Sequence, residues 1–143
     1  MNASQISVFI ENRAGRLQTV VQRLGDAGIN IRALSLADTS DFGILRLIVN
    51  RTEDAVAVLK QAGFTLKLAE VVTVEIPDRA GGLAGVLAVL GAAGLNVEYM
   101  YAFVEKAAGQ ALLVFRLDDP ALAVRALAQA GVRVLQESDV ARL

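Results

Sequence analysis

Two short runs carry the residue types best suited to hold a small molecule: "NRAG" at Asn12–Gly15 and "DRAG" at Asp78–Gly81. Each lies between a strand-like alternation and a helix-like periodicity, so each places the unpartnered N–H groups of a helix start beside a polar side chain, an arginine and a glycine. Those donors, with the positive end of the helix, favour an anion such as a carboxylate. Gly15 lets a ligand come close to the backbone because no side chain intervenes. Asn12 and Asn30 each offer an amide that both donates and accepts. An amino-acid zwitterion needs that mixture, donors for its carboxylate and acceptors for its ammonium. On the residues alone, Asn12 serves equally well as the N-cap of the first helix, and Asn30 as the residue easing the chain from a glycine turn into a strand.

Other chemistries are poorly served. The 143 residues contain no histidine and no cysteine, which removes the commonest general base, the thiolate nucleophile and any His/Cys zinc site. The remaining Asp, Glu, Lys, Tyr and Ser form no compact catalytic constellation. The paired acids Asp38/Asp41 and Asp118/Asp119 fall in turns or caps, where solvated acids belong. The chain therefore reads as non-enzymatic, without cofactor or metal. Formal net charge is −1 with scattered Lys and Arg, so no basic face for nucleic acid is visible. The glycines of "AGGLAG" fit neither a dinucleotide fingerprint nor a P-loop. No apolar run reaches the roughly 20 residues a spanning helix needs, and "MNASQISVFI" opens polar, unlike a signal peptide. A cytoplasmic protein that binds neither membrane nor nucleic acid is expected.

The elements that position the two runs are themselves duplicated. A shift of 66 positions carries Val8–Ile31 onto Val74–Val97, and half the residues there are identical. After the first hairpin the shift becomes 68, pairing Gly63 with Gly131, as a two-residue insertion in a loop would produce. Within a copy, Ile6, Val8 and Ile10 alternate with Ser7, Phe9 and Glu11 as a half-buried strand. Leu17, Val20, Val21 and Leu24 follow with helical spacing, and Gly28 ends that helix. Strands over Ile29–Leu36 and Ile44–Val49 flank the turn "TSDFG". A second helix, with Thr52 as its cap, and a short strand over Phe64–Leu68 complete a βαββαβ order. The fold class is α+β: two tandem ferredoxin-like units with antiparallel sheets, at residues 1–69 and 70–143. The link through Leu68–Val71 is so short that the two sheets are expected to lie close, edge to edge.

A βαββαβ unit with "ENRAGRL" after its first strand and "GINI" after its first helix resembles an ACT domain, and the resemblance runs twice over nearly the whole chain. It is similar to small stand-alone proteins made of two tandem ACT domains. The resemblance implies an amino-acid-binding regulatory protein. Its ligand would sit between two domains, held by the first loop of one and the asparagine opening the second strand of its neighbour. Carried onto this chain, the site comprises Asn12, Arg13, Ala14, Gly15, Arg16 and Leu17 with Asn30 and Ile31 in the first copy. In the second it comprises Asp78, Arg79, Gly81, Gly82 and Leu83 with Asn96 and Val97. Similar regulatory domains often carry a histidine two residues before the loop asparagine; Ile10 stands there, which argues against a serine-like ligand. With no catalytic domain in the chain, any regulated metabolic enzyme would be a separate polypeptide. A scaffold that oligomerises with such an enzyme but binds no ligand is the competing reading.

The copies differ in ways that carry expectations of their own. Asn12 is replaced by Asp78 and Arg16 by Gly82, so the two loops should treat a ligand carboxylate differently. Gln18, Gln22, Arg23 and Asp26 of the first helix become Ala84, Ala88, Val89 and Ala92 in "LAGVLAVLGAAG". A helix apolar all round is normally buried on every side. It should therefore lie against the first domain or in the interface of a homodimer or larger oligomer. Tyr99, Tyr101 and Phe103 share one strand face, packed on the helices or, failing that, bringing a hydroxyl to a pocket edge to select a large amino acid.

Overall fold

The computed structural model describes residues 1–38, 41–104 and 109–143; Thr39 and Ser40 of the "TSDFG" turn lie outside the described residues. The first unit is β1 (Ser4–Glu11), α1 (Arg16–Asp26), β2 (Ile31–Asp38), β3 (Phe42–Val49), α2 (Thr52–Gln61) and β4 (Thr65–Glu70). The second is β5 (Val72–Pro77), α3 (Gly82–Ala92), β6 (Val97–Ala102), β7 (Gln110–Leu117), α4 (Pro120–Gln129) and β8 (Arg133–Leu135), followed by a short α5 (Glu137–Ala141). Each unit forms one four-stranded antiparallel sheet, in the orders β2-β3-β1-β4 and β6-β7-β5-β8. The two tandem ferredoxin-like units expected from the repeat are present, and α5 is an addition that the repeat did not announce.

Each sheet buries one face under its pair of helices. Ile6, Val8, Ile10, Leu45 and Leu47 meet Val20 and Leu24 of α1 and Leu59 of α2 in the first core. The second core repeats this with Val72, Val74, Ile76, Phe115, Leu90 and Leu127. These are the period-two positions of the strands and the i, i+4 stripe of the helices. One cap differs from expectation. Arg51, not Thr52, is the N-cap of α2, and no side-chain cap bond forms there. The Arg51 guanidinium instead donates to the carbonyls of Ala27 and Gly28, tying α2 to the end of α1. In the second copy Asp119 caps α4 through the Leu122 amide, with Pro120 at the first helical position.

The sheets are joined chiefly through the faces turned away from the helices, rather than edge to edge. Ala3, Ala33 and Ile48 of the first unit pack with Val71, Phe103, Leu112, Val114 and Leu135 of the second, and Val140 of α5 closes the cluster. Among the described residues, the edge strands β2 and β6 meet where Ala33 and Phe103 form an isolated bridge and the Val104 amide donates to the Arg32 carbonyl. A face rich in Val, Leu and Phe is larger apolar area than one strand edge, so burying it is the more favourable way to join the units.

A polar group sits inside this junction. Gln5 on β1 is fully buried. Its amide nitrogen donates to Tyr99 Oη at 2.7 Å and Ser7 Oγ at 3.0 Å, while its carbonyl accepts from Tyr101 Oη at 2.6 Å. The tyrosine face of β6 thus covers the other sheet, not helices, and both hydroxyls are engaged by Gln5. Burial, with the neighbouring Tyr99 adding, pushes the Tyr101 hydroxyl well above its ordinary value of 10.0, although Arg46 pulls the other way. A raised folded-state value favours the native state while the phenol is neutral and is lost as pH rises above 10.0. In an alkaline titration followed by phenolate absorbance, Tyr101 is expected to ionise only as the protein unfolds; ionisation without loss of ellipticity would contradict this burial.

The apolar helix α3 is not covered by the first domain. Ala84, Gly85, Ala88, Gly91 and Ala92 are exposed in the single chain, and Leu83 and Leu87 are each 38% exposed. Only Val86 and Leu90 of this helix are fully buried. Of the two burial sites expected for it, packing on the first unit is therefore excluded.

Candidate functional site

Both loops fold alike. Gly15 is the N-cap of α1 at φ 88° and Gly81 the N-cap of α3 at φ 84°. This left-handed conformation is disfavoured for residues with a Cβ, so glycine allows the chain to turn sharply from strand into helix. Asn12 is thus three residues ahead of the cap and is not the capping residue; no side chain caps either helix. The Asn12 amide donates to the Asp41 carbonyl and the Asp78 amide to the Gly109 carbonyl, which fixes each loop to the neighbouring hairpin. Arg13 and Arg79 donate back to Glu11 and Pro77. The amides of Ala14, Gly15, Leu17 and Gln18 make no backbone hydrogen bond among the described residues, nor do those of Ala80, Gly81, Leu83 and Ala84. Each loop therefore presents a set of free donors around a helix start, which suits an anionic group.

The side chains separate the two loops. In the first, Glu11 gathers both cations, with Arg13 Nε at 3.2 Å and Arg16 Nε at 3.9 Å, while the Arg16 guanidinium lies over the Phe64 ring at 5.0 Å. In the second, Pro77 replaces Glu11 and Gly82 replaces Arg16. A Cβ at Gly82 would overlap the Pro77 carbonyl oxygen, so the second loop is tighter and requires glycine there. Gly82→Ala is expected to cost about 1–3 kcal/mol in denaturant unfolding, whereas Gly85→Ala, with open space around it, should be neutral or stabilising. Equal effects of the two substitutions would contradict this geometry.

Asn30 directly precedes β2, which Ile31 opens, and Asn96 and Val97 occupy the same places at β6. The Asn30 amide donates to Asn50 Oδ1 at 2.9 Å, and the Asn96 amide to Asp118 Oδ1 at 3.2 Å. Both asparagine side chains belong to exposed residues. β1 and β2 are each antiparallel to β3, hence parallel to one another. The first loop lies at the end of β3 that starts with Phe42, and Asn30 at the end that finishes in Val49. An eight-residue strand spans about 25 Å. Within one copy, then, the loop and its asparagine cannot share a small ligand. A ligand touching both kinds of element has to lie between two units.

Sequence reasoning missed Asn50 and took Asp118 only for a turn or cap acid, whereas both accept from the backbone amides of the two asparagines. Their signal was available, since Asn50 and Asp118 occupy equivalent positions directly before the second helix of each copy. It also missed Glu11, whose outward position on β1 places it beside the loop arginines. Among the described residues no cluster of three or more His, Cys, Asp or Glu is arranged to hold a metal ion, and no helix is long and apolar enough to cross a membrane.

A protein-family model described as "ACT domain pair" matches residues 1–143. The chain belongs to the ACT domain pair family. A solved structure of protein BT0572 from Bacteroides thetaiotaomicron is 37% identical to it, with a TM-score of 0.93 over 100% of this chain and 98% of that one. The regulatory subunit of aspartate kinase from Thermus thermophilus shares the fold at 17% identity, with a TM-score of 0.68 over 91% and 93% of the two chains. That from Thermus flavus gives 18% and 0.62 over 92% and 94%. Among curated proteins, none matches the sequence. The tandem ferredoxin-like architecture of this ACT domain pair is thus shared with regulatory subunits, and no catalytic family is indicated.

Proposed function

We propose that this ACT domain pair, with domains at residues 1–69 and 70–143, is a regulatory protein that binds a free amino acid between ACT domains. The observation that carries the reading is the set of unpartnered amides around Gly15, matched by a second set around Gly81. A carboxylate docks on those amides, and the exposed amide side chain of Asn30 or Asn96 from another unit meets the ammonium. Asp78 repels a carboxylate more than Asn12 does, so the first loop binds more tightly. Binding between two units favours one arrangement of them, and a partner polypeptide reads the difference. A protein of the same fold that is by name a regulatory subunit of aspartate kinase supports a separate enzyme as that partner. The test is a backbone-amide NMR titration with each of the twenty amino acids. A saturable shift concentrated at Ala14, Gly15 and Leu17 is expected for one ligand class. If all twenty leave those amides unmoved at millimolar concentration, the chain is instead a ligand-free interaction module.

The partner unit comes from a second copy of the chain, through the exposed apolar face of α3. Small side chains at Gly85, Ala88 and Ala92 let another helix approach closely, and solvent exposure of such a surface is unfavourable. Ala84→Glu combined with Ala88→Glu is expected to shift the mass measured by light scattering from dimer to monomer, with the fold retained. An unchanged dimer in that variant would place the interface elsewhere.

A further inference from the structure

We propose a second ligand site, distinct from the loops, for a small carboxylate with an apolar tail on the open part of the first sheet's outer face. The observation behind it is a row of side chains running across three strands. Arg46 on β3 pairs in register with Ser7 on β1, and Ser7 pairs in register with Lys67 on β4. All three lie on the face opposite the helices, and Arg46 and Lys67 sit one strand to either side of Ser7, with their Cα atoms about 10 Å apart.

Two facts make this row more than a solvated surface. First, Arg46 is held but not paired. Its guanidinium carbon lies over the Tyr99 ring, 3.8 Å from the centroid, its Nε is covered and unbonded, and no carboxylate pairs with it among the described residues. The ring contact holds the guanidinium in place, and its two terminal nitrogens suit a planar, two-oxygen acceptor. Lys67 likewise makes no ion pair among the described residues, whereas nearby Arg116 is committed to Glu98 and to the carbonyls of Glu70 and Leu117. Second, the equivalent row in the other copy is Val114–Thr73–Leu135, fully buried in the junction. The two cations therefore belong to the first copy alone, on a stretch of outer sheet face that the junction leaves open.

The surroundings define the ligand. The next row of the same face is Phe9 and Ile44, half-buried and apolar. With the cation row and Tyr99 they line a groove of about 750 Å³, a volume within the range of small-molecule sites; its lining also includes Glu70, Arg116 and Asp118. A carboxylate on Arg46 and Lys67 directs its tail over Phe9 and Ile44. The site does not depend on the loop reading above, since none of its residues belongs to either loop.

The protein contains two tyrosines and no tryptophan. Both tyrosines lie at this junction, so intrinsic fluorescence reports on it directly. Hexanoate is the probe, with hexanamide, acetate and inorganic phosphate as comparisons. A saturable change with hexanoate at millimolar concentration is expected, with none from hexanamide. Arg46→Gln should weaken it at least about tenfold and Lys67→Met several-fold, while Asn12→Ala leaves it unchanged. No response in the wild type, an equal response to hexanamide, or full binding by a folded Arg46→Gln protein would overturn the site. Acetate or phosphate matching hexanoate would overturn the apolar-tail assignment. Should Arg46→Gln not fold, Lys67→Met decides, and undiminished hexanoate binding there refutes the proposal.

Discussion

Gln5→Leu is expected to lower the unfolding free energy by about 3 kcal/mol, because leucine fills the same space and satisfies none of the three hydrogen bonds. The Tyr101 hydroxyl is the group most damaged, since it lies in the half-buried junction and has Gln5 as its hydrogen-bond acceptor. Tyr99 and Ser7 lose a donor at the same time. Adding Tyr101→Phe to Gln5→Leu should cost much less than the two single changes summed, because the second change removes an already orphaned group. Urea denaturation of the four proteins provides the cycle. Strict additivity would mean that the bond at 2.6 Å contributes nothing. Since the network joins β1 of one unit to β6 of the other, the same substitution should also loosen the coupling between the units, seen as a separation of their unfolding transitions.

Phe115→Ala should be the costliest single truncation in the chain, at about 3–5 kcal/mol. Phe115 is the largest fully buried side chain, and it occupies in the second sheet the register position that Leu47 holds in the first. Leu47→Ala is expected to cost about 2–4 kcal/mol by the same cavity argument. Hydrogen exchange would locate the damage. Protection should fall first in β5, β6 and β7 for the phenylalanine change and in β1, β2 and β3 for the leucine change. Equal loss in both units from either substitution would show that the pair unfolds as one body.

Much of the architecture was legible because the chain states it twice. The alternation of Ile6, Val8 and Ile10 and the helical spacing of Leu17, Val20 and Leu24 gave the inner faces directly, and the second copy confirmed their period. The outer faces were not legible in the same way. Ser7 and Phe9 read as solvent-facing because alternation says only that they point away from the helices, and says nothing of a second sheet lying on them. The clue was the aromatic outer face of β6, too apolar to be left in water. Gln5 was invisible for a related reason, since a polar residue near a terminus normally faces solvent and here its amide is consumed by tyrosines from the other copy. At the loops, the residue types and the glycine requirement were readable, but the choice of Gly15 over Asn12 as cap depends on a backbone angle that no side-chain pattern encodes. The distance between Asn12 and Asn30 followed only from strand direction.

Thermal unfolding of the protein with each of the twenty amino acids, repeated on Asn12→Ala and Asn30→Ala, tests the central claim most directly. A ligand at about 100 times its dissociation constant adds roughly 2.7 kcal/mol, enough to raise the midpoint by several degrees. One ligand class is predicted to do so in the wild type, and both substitutions should abolish the rise while leaving the unliganded midpoint nearly unchanged. A rise that survives both substitutions, or none with any amino acid, would contradict a ligand held by the first loop and the strand-opening asparagine.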